Sequence, residues 1–339
     1  MKNKFHLFYV GSYSHIIVAD AIINEKNLSL DTIFFITYRG VKLPSCYEKC
    51  LLYDESAINR KKFFLKNFVK LSKLFWGQSV CGYFPFQGHF PVVKFFDDYV
   101  FFEEGLSAYD TGINYTRFKK KNYFKTYIKD LLIAPFVNRN MRGLINGRQN
   151  GSPFSFKCSL IGLTNTSYKN IIIENCKRET VHFLNRPLKK STISDSVIIV
   201  MDSTHAIDRM DSAEKYLSIL SESLKKASFG LRNIYLKLHP DNHKDREEAI
   251  LLIKKYIDFL DFTVIDESLE DIALSNQNNI FFGNHSTILF YAPIFGNTNK
   301  SISFVRQNAE CDKTYIRFLQ RWGGIEGTLA LFKQQMECL

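Results

Sequence analysis

Two adjacent carboxylates closed by a glycine, Glu103-Glu104-Gly105, and an imidazole set before proline, Lys237-Leu238-His239-Pro240, are residue types that acid–base chemistry on a hydroxyl requires. A carboxylate can take the proton of an attacking hydroxyl, and an imidazolium can donate to a departing oxygen. A third group, Gly283-Asn284-His285-Ser286-Thr287, sets two hydroxyls before an apolar run that ends at Phe295. Hydroxyls beside the unpaired N–H groups of a helix start bind anions, with a favourable dipole. A fourth group is Asp202-Ser203-Thr204-His205, and Glu267 stands in Asp-Glu-Ser between the second and third. Each also has an ordinary reading as a solvated turn, a proline turn or a helix cap. Neighbours in an extended segment point to opposite faces, so one acid of the pair faces a site, and the sequence leaves open which.

The elements needed to position these groups can be read from periodicity. Phe5 to Val10 is an apolar run punctuated by Gly11 and Ser12; Ser14 is expected to cap a helix through Lys26, with Ile16, Ile17, Ala19, Ala21, Ile22 and Ile23 as its apolar positions. Thr32 to Thr37 and Tyr99 to Phe102 read as further strands, the latter ending in the acid pair. Beyond residue 190 the alternation is clearer: strands at 196–201, 233–238, 262–265, 279–282 and 301–305, with helices over 211–226, 243–259 and up to 295. Short continuous apolar strands alternating with helices predict parallel sheets buried on both faces, in two Rossmann-like series. The polar Lys-Lys-Ser-Thr stretch after Pro187 sets the expected boundary, giving domains 1–188 and 189–339. Ligands of such sheets bind beyond the carboxyl ends of the strands, where all four groups fall. Gly11 reads either as a plain βα turn or as a point of close approach to a ligand.

The composition narrows the partners. With 339 residues and 45% apolar content, the chain can bury a large core and is neither disordered nor low in complexity. A formal charge of +11 favours nucleic acid, an anionic membrane surface or phosphorylated substrates. Between Arg117 and Arg148, nine Lys or Arg oppose the single Asp130, with aromatics interleaved. That stretch reads as a solvated helix face or as a surface for anionic head groups; no nucleic-acid module is evident, so no nucleic-acid partner is expected. Seven cysteines without a Cys-x-x-Cys pair speak against a disulfide framework and a thiolate zinc site, and for a reducing compartment. The N-terminal apolar run is too short for a secretory segment and no run of transmembrane length appears, so a cytoplasmic protein is expected.

In order, spacing and context, Glu103-Glu104-Gly105, Lys237-Leu238-His239-Pro240 and Ser286-Thr287 resemble the (Asp/Glu)-(Asp/Glu)-Gly, His-Pro and Ser-Ser/Thr motifs of bacterial GT-B sialyltransferases. That group includes lipooligosaccharide, capsule, O-antigen and polysialyltransferase-like enzymes. The resemblance implies a GT-B α/β fold: two Rossmann-like domains facing a central cleft, acceptor on the first and CMP on the second. It implies inverting transfer of sialic acid from CMP-sialic acid to a sugar hydroxyl, expected to be galactose, of a bacterial surface glycan. Glu103, Glu104 and His239 would be catalytic, with Glu103 favoured as the base, Glu104 close behind, and His239 facing the CMP phosphate. Gly105, Lys237, Pro240, Glu267, Ser286, Thr287, Ser203, Thr204 and Gly11 would attend the donor, Glu267 at the ribose. A single phosphodiester charge can be relieved by His, hydroxyls and a helix start, and the sequence has no Asp-x-Asp motif. No metal or other cofactor is therefore expected. The implied acceptor is a glycan or lipid-linked oligosaccharide, with peripheral contact at the cytoplasmic face of the inner membrane. The alternatives are a GT-B enzyme using another donor such as CMP-Kdo, and a non-catalytic glycan- or nucleic-acid-binding protein.

Overall fold

A computed structural model describes residues 4–38, 40–54, 74–75, 77–85, 98–103, 105–109, 158–164, 167–168, 176–182, 189–202, 213–227, 229–239, 246–311, 319 and 337–338. Glu104, Ser203, Thr204, Pro240 and the basic stretch 117–148 lie outside the described residues. The chain divides into two compact units, Met1–Leu184 and Asn185–Leu339.

The first unit carries β1 (Lys4–Val10), α1 (Tyr13–Glu25), β2 (Ile33–Thr37), β3 (Leu51–Asp54), β4 (Ser79–Pro85), β5 (Asp98–Phe102), β6 (Cys158–Gly162) and β7 (Cys176–Thr180). They form one sheet in the order β3-β2-β1-β4-β5-β6-β7, and every pairing is parallel. β1 lies third from the edge, which is why its Leu7, Phe8, Tyr9 and Val10 are all buried. Phe8 stacks on Tyr83 at 4.2 Å between ring centroids and on Phe35 at 5.4 Å, so much of the aromatic load is core packing. α1 is buried along His15–Ile23, as expected of a helix that is apolar nearly all round. Its cap is Ser12 rather than the expected Ser14: Ser12 is extended and its side chain accepts from the His15 N–H. The Ser14 hydroxyl bonds that of Ser12 at 2.8 Å, and Ser14, two residues past the cap, is already inside the helix. β7 closes the edge with Lys177 and Glu179, an ion pair that also engages Lys26. Charge of this kind discourages edge pairing with another chain.

The second unit carries β8 (Val197–Val200), α2 (Ala213–Lys226), β9 (Ile234–Lys237), α3 (Arg246–Tyr256), β10 (Thr263–Val264), α4 (Leu269–Leu274), β11 (Ile280–Gly283), α5 (Thr287–Phe295), β12 (Lys300–Ser303), α6 (Val305–Cys311) and β13 (Glu337–Cys338). Its sheet, β10-β9-β8-β11-β12-β13, is parallel throughout and repeats the doubly wound order of a Rossmann fold. Val197, Ile199, Leu236, Phe282 and Ile302 from the strands meet Tyr216, Leu220 and Leu224 of α2 in one core. Each fully buried side chain of that size contributes roughly 1.5–3 kcal/mol. β8 and β11 approach so closely that a Cβ on Gly283 would stand 2.8 Å from the Val200 carbonyl oxygen, which requires glycine there.

Candidate active site

In the first unit Glu103 follows directly on the carboxyl end of β5. The Glu103 N–H still donates to the Ile161 carbonyl at 3.0 Å, so this residue continues the ladder. Its side chain is 1% exposed. Oε2 accepts from the Ser167 hydroxyl at 2.6 Å and from the Leu163 N–H at 2.8 Å, both beyond the end of β6. The Tyr109 hydroxyl meets those of Ser167 at 3.1 Å and Thr164 at 3.0 Å, extending the network. Burial, with the neighbouring Glu103 charge, pushes the Tyr109 phenol well above its usual value. Gly105 has φ +61°, a left-handed conformation that glycine adopts without strain, and it begins the turn that brings Tyr109 back.

Gly11 follows β1 at the same edge of this sheet. The Tyr38 ring occupies the space that a Cβ on Gly11 would need, so the close approach there is made by the protein's own tyrosine. The Gly11 N–H donates to His15 Nδ1 at 3.0 Å. His15 therefore carries its ring proton on Nε2 when neutral, and its ring stands edge-on to Phe102 at 5.6 Å, directly before the acid pair.

In the second unit the singled-out groups fall along one edge, in the strand order β10, β9, β8, β11. Adjacent strands are about 4.8 Å apart, so Glu267, His239, Asp202 and Ser286 are spread over roughly 14 Å. Lys237 ends β9, and its Nζ donates to the Asp266 carbonyl at 2.7 Å. It thus tethers the loop carrying Glu267. Burial lowers the Lys237 ammonium below its usual value, against the raising effect of Asp266. Arg246 holds the Asp266 carboxylate from α3 at 2.7 Å. His239, two residues beyond β9, and Glu267 are both partly exposed.

Ser286 occupies the N-cap position of α5 with extended backbone, yet its side chain makes no capping hydrogen bond. The ordinary reading of a Ser-Thr pair before a helix is thus not realised by Ser286. The loop before it is held from both sides. Asp202, beyond β8, accepts from Asn284 Nδ2 at 2.9 Å and, more weakly, from the His285 N–H at 3.4 Å. Ser303, at the end of β12, donates to the Asn284 carbonyl at 2.6 Å. Burial pushes the Asp202 carboxyl up to about 6, although Asn284, the His285 N–H and Tyr216 pull it down.

The structure brings Lys237 together with the Glu267 loop, and Asp202 with the Ser286-Thr287 loop. Glu103 is joined to groups the sequence reading did not name: Tyr109, Thr164 and Ser167. Thr164 and Ser167 follow Leu160-Ile161-Gly162, a strand end too short to stand out by periodicity. Asp202 was within a singled-out group but had no role.

A family model described as alpha-2,8-polysialyltransferase (POLYST) matches residues 89–305, well over half of the chain. Among solved structures, the UDP-GlcNAc 2-epimerase of Methanocaldococcus jannaschii in complex with UDP-GlcNAc and UDP is similar at 14% identity. The match covers 99% of this chain and 93% of that one, with a TM-score of 0.52. The UDP-GlcNAc 2-epimerase from Neisseria meningitidis bound to UDP-GlcNAc matches at 11% identity over 98% and 93%, with a TM-score of 0.43. The likeness to the first is one of fold: two Rossmann-like α/β units of the GT-B class. No curated protein matches the sequence. Among the described residues, no helix is long and apolar enough to cross a membrane.

Proposed function

The chain belongs to the alpha-2,8-polysialyltransferase family, and from that premise we propose that it transfers sialic acid from CMP-sialic acid to a sugar hydroxyl with inversion and without a metal ion. The observation that carries this reading is the span of the family match: it opens before Glu103 and closes beyond Thr287, so it contains all three motifs.

The first unit supplies the base. Glu103 is buried and its Oε2 is committed to Ser167 and Leu163, which suits it to holding the loop beyond β6. Deprotonating the acceptor hydroxyl then falls to Glu104, the other carboxylate of the pair. The second unit receives the leaving group. His239 donates to the departing phosphate oxygen, and the Ser286 and Thr287 hydroxyls with the first N–H groups of α5 take up the phosphate charge. The uncapped Ser286 hydroxyl supports this role. Glu267 accepts from the ribose hydroxyls, on a loop tethered by Lys237. Gly105, Pro240, Ser203 and Thr204 complete the proposed donor surroundings, and Gly11 belongs with them only as a packing position under Tyr38. The family's description favours as acceptor a terminal sialic acid, whose O8 hydroxyl attacks the donor, over the galactose implied by the motifs alone. The basic stretch 117–148 is the proposed contact with anionic head groups around a lipid-linked acceptor, at the cytoplasmic face of the membrane.

The test is transfer from CMP-sialic acid to sialylated and galactose-terminated oligosaccharides with excess EDTA. Release of CMP matched by a lengthened acceptor is expected. Turnover of CMP-Kdo alone, or loss in EDTA reversed by Mg²⁺ or Mn²⁺, would overturn the donor or the metal-free assignment.

A further inference from the structure

We propose that Asp202 is a positioning residue: it locks the loop Asn284-His285 so that Ser286, Thr287 and the first turn of α5 present their donors to the CMP phosphate. This inference rests on the donor reading above for its ligand, but its geometry stands independently.

The loop lies where the strand order of the second sheet reverses, between β8 and β11, the point at which doubly wound sheets take their ligands. Gly283 pairs with Val200 on one side and Ser303 on the other, so the segment after Gly283 enters the edge between two neighbouring strand ends. From the β8 side Asp202 takes the Asn284 side chain and faces the His285 N–H. From the β12 side Ser303 takes the Asn284 carbonyl, and the Phe304 N–H takes the Gly283 carbonyl at 3.0 Å. Three successive residues, Gly283 to His285, are thereby held on the path that leads into α5. A loop hydrogen-bonded from two strands holds its amides in place before the ligand arrives, and preorganised donors stabilise charge without reorganisation.

The chemistry of Asp202 itself points the same way. A carboxylate 4% exposed is costly to keep in a protein core, and burial raises it toward about 6. The groups that face it are Asn284 and His285 from the β11 loop and Tyr216 from α2. An asparagine would fill the same space without a buried charge. What the carboxylate adds is acceptor capacity on both oxygens, one for the Asn284 amide and one for a main-chain N–H of the loop.

The experiment compares Asp202→Asn with the exchange variant Asp202→Asn/Asn284→Asp. Two readouts are used: amide hydrogen exchange over residues 284–289, and KM and kcat for CMP-sialic acid from pH 5.5 to 8. Asp202→Asn is expected to speed exchange in that segment and to raise the donor KM about tenfold with kcat within a few-fold, a shift of 1.4 kcal/mol in donor binding. The parent's donor KM should rise as pH falls through about 6, and Asp202→Asn should lose that limb. The exchange variant reverses the same side-chain bond and should restore both slow exchange and a low KM. Unchanged exchange in Asp202→Asn overturns the proposal. Faster exchange with an unchanged donor KM overturns the donor-positioning role and leaves only a packing role. Parent protein that turns over no CMP-sialic acid at any pH sinks the donor reading and, with it, the CMP ligand assigned here; exchange then still decides whether Asp202 locks the loop.

Discussion

The two units are built on one plan and spend their carboxyl edges differently. Both are parallel sheets with the first strand inside and the order reversing beside it. At the edge of the first unit, hydroxyls and an N–H converge on a carboxylate: Ser167 and Leu163 on Glu103, with Tyr109 and Thr164 behind. At the edge of the second, a buried carboxylate and a serine converge on a loop that opens a helix. The first arrangement surrounds one buried carboxylate with donors. The second leads to N–H groups and hydroxyls, as an anionic leaving group requires. A shared fold thus carries different polar networks, decided by which residues follow each strand.

The largest effect expected from breaking this contrast lies in the reacting groups. Glu104→Gln and His239→Ala should each lower kcat by roughly 10²–10⁴, the range of general acid–base groups, in steady-state transfer assays. Glu103→Gln should fall less in kcat and more in stability; equal rate losses in Glu103→Gln and Glu104→Gln would erase the distinction between base and support. Removing the uncapped hydroxyl is next. Ser286→Ala should raise the donor KM by roughly 10- to 100-fold at unchanged helix content, checked by donor titration and circular dichroism, because a hydrogen bond to a charged group is worth roughly 1.5–3 kcal/mol. Ser167→Ala deprives buried Glu103 of a partner and should cost about 1–3 kcal/mol in denaturant unfolding.

A separate effect concerns pH, and there the units should move in opposite directions. Burial, then Lys4 and Lys26, lowers His6 to about 4. The unfolded chain binds that proton first, so stability is full above pH 6.5 and is lost as pH falls toward 4. Asp202 is raised from 3.8 to about 6, so the folded state holds its proton longer. Its contribution is full below pH 3.8 and is lost as pH rises through 6, by about 3 kcal/mol. Unfolding titrations should show His6→Phe flattening the acid limb. Between pH 4 and 7 they should also show Asp202→Asn gaining relative to the parent.

How far the sequence reads ahead of the structure differs between the same two regions. In the second unit β8, Val-Ile-Ile-Val before Met201-Asp202, and β11, Ile-Phe-Phe before Gly283-Asn284, are short apolar runs closed by polar residues, whereas β13, Glu337-Cys338, carries no such pattern. Periodicity finds these strands, and the motifs at their ends follow. In the first unit, β4 holds Gly82 and Pro85, β6 holds only Leu160 and Ile161 as large aliphatics, and β7 reads Cys-Lys-Arg-Glu-Thr. Neighbouring strands make them β-strands, so local pattern missed them, along with Thr164 and Ser167 beyond β6. The acid pair was legible as a motif. The partners of Glu103 come from 60 and more residues away and depend on the register of β5 against β6. Likewise the Asp202–Asn284 bond spans 82 residues and exists only because β8 lies beside β11.

The division of labour between the units is tested most directly by calorimetric titration of CMP into the parent, Glu104→Gln and His239→Ala. CMP should bind Glu104→Gln as it binds the parent, although that variant transfers almost nothing, and should bind His239→Ala distinctly more weakly. Equal weakening in both variants, or a parent that takes up no CMP, would contradict the assignment of the nucleotide to the second unit.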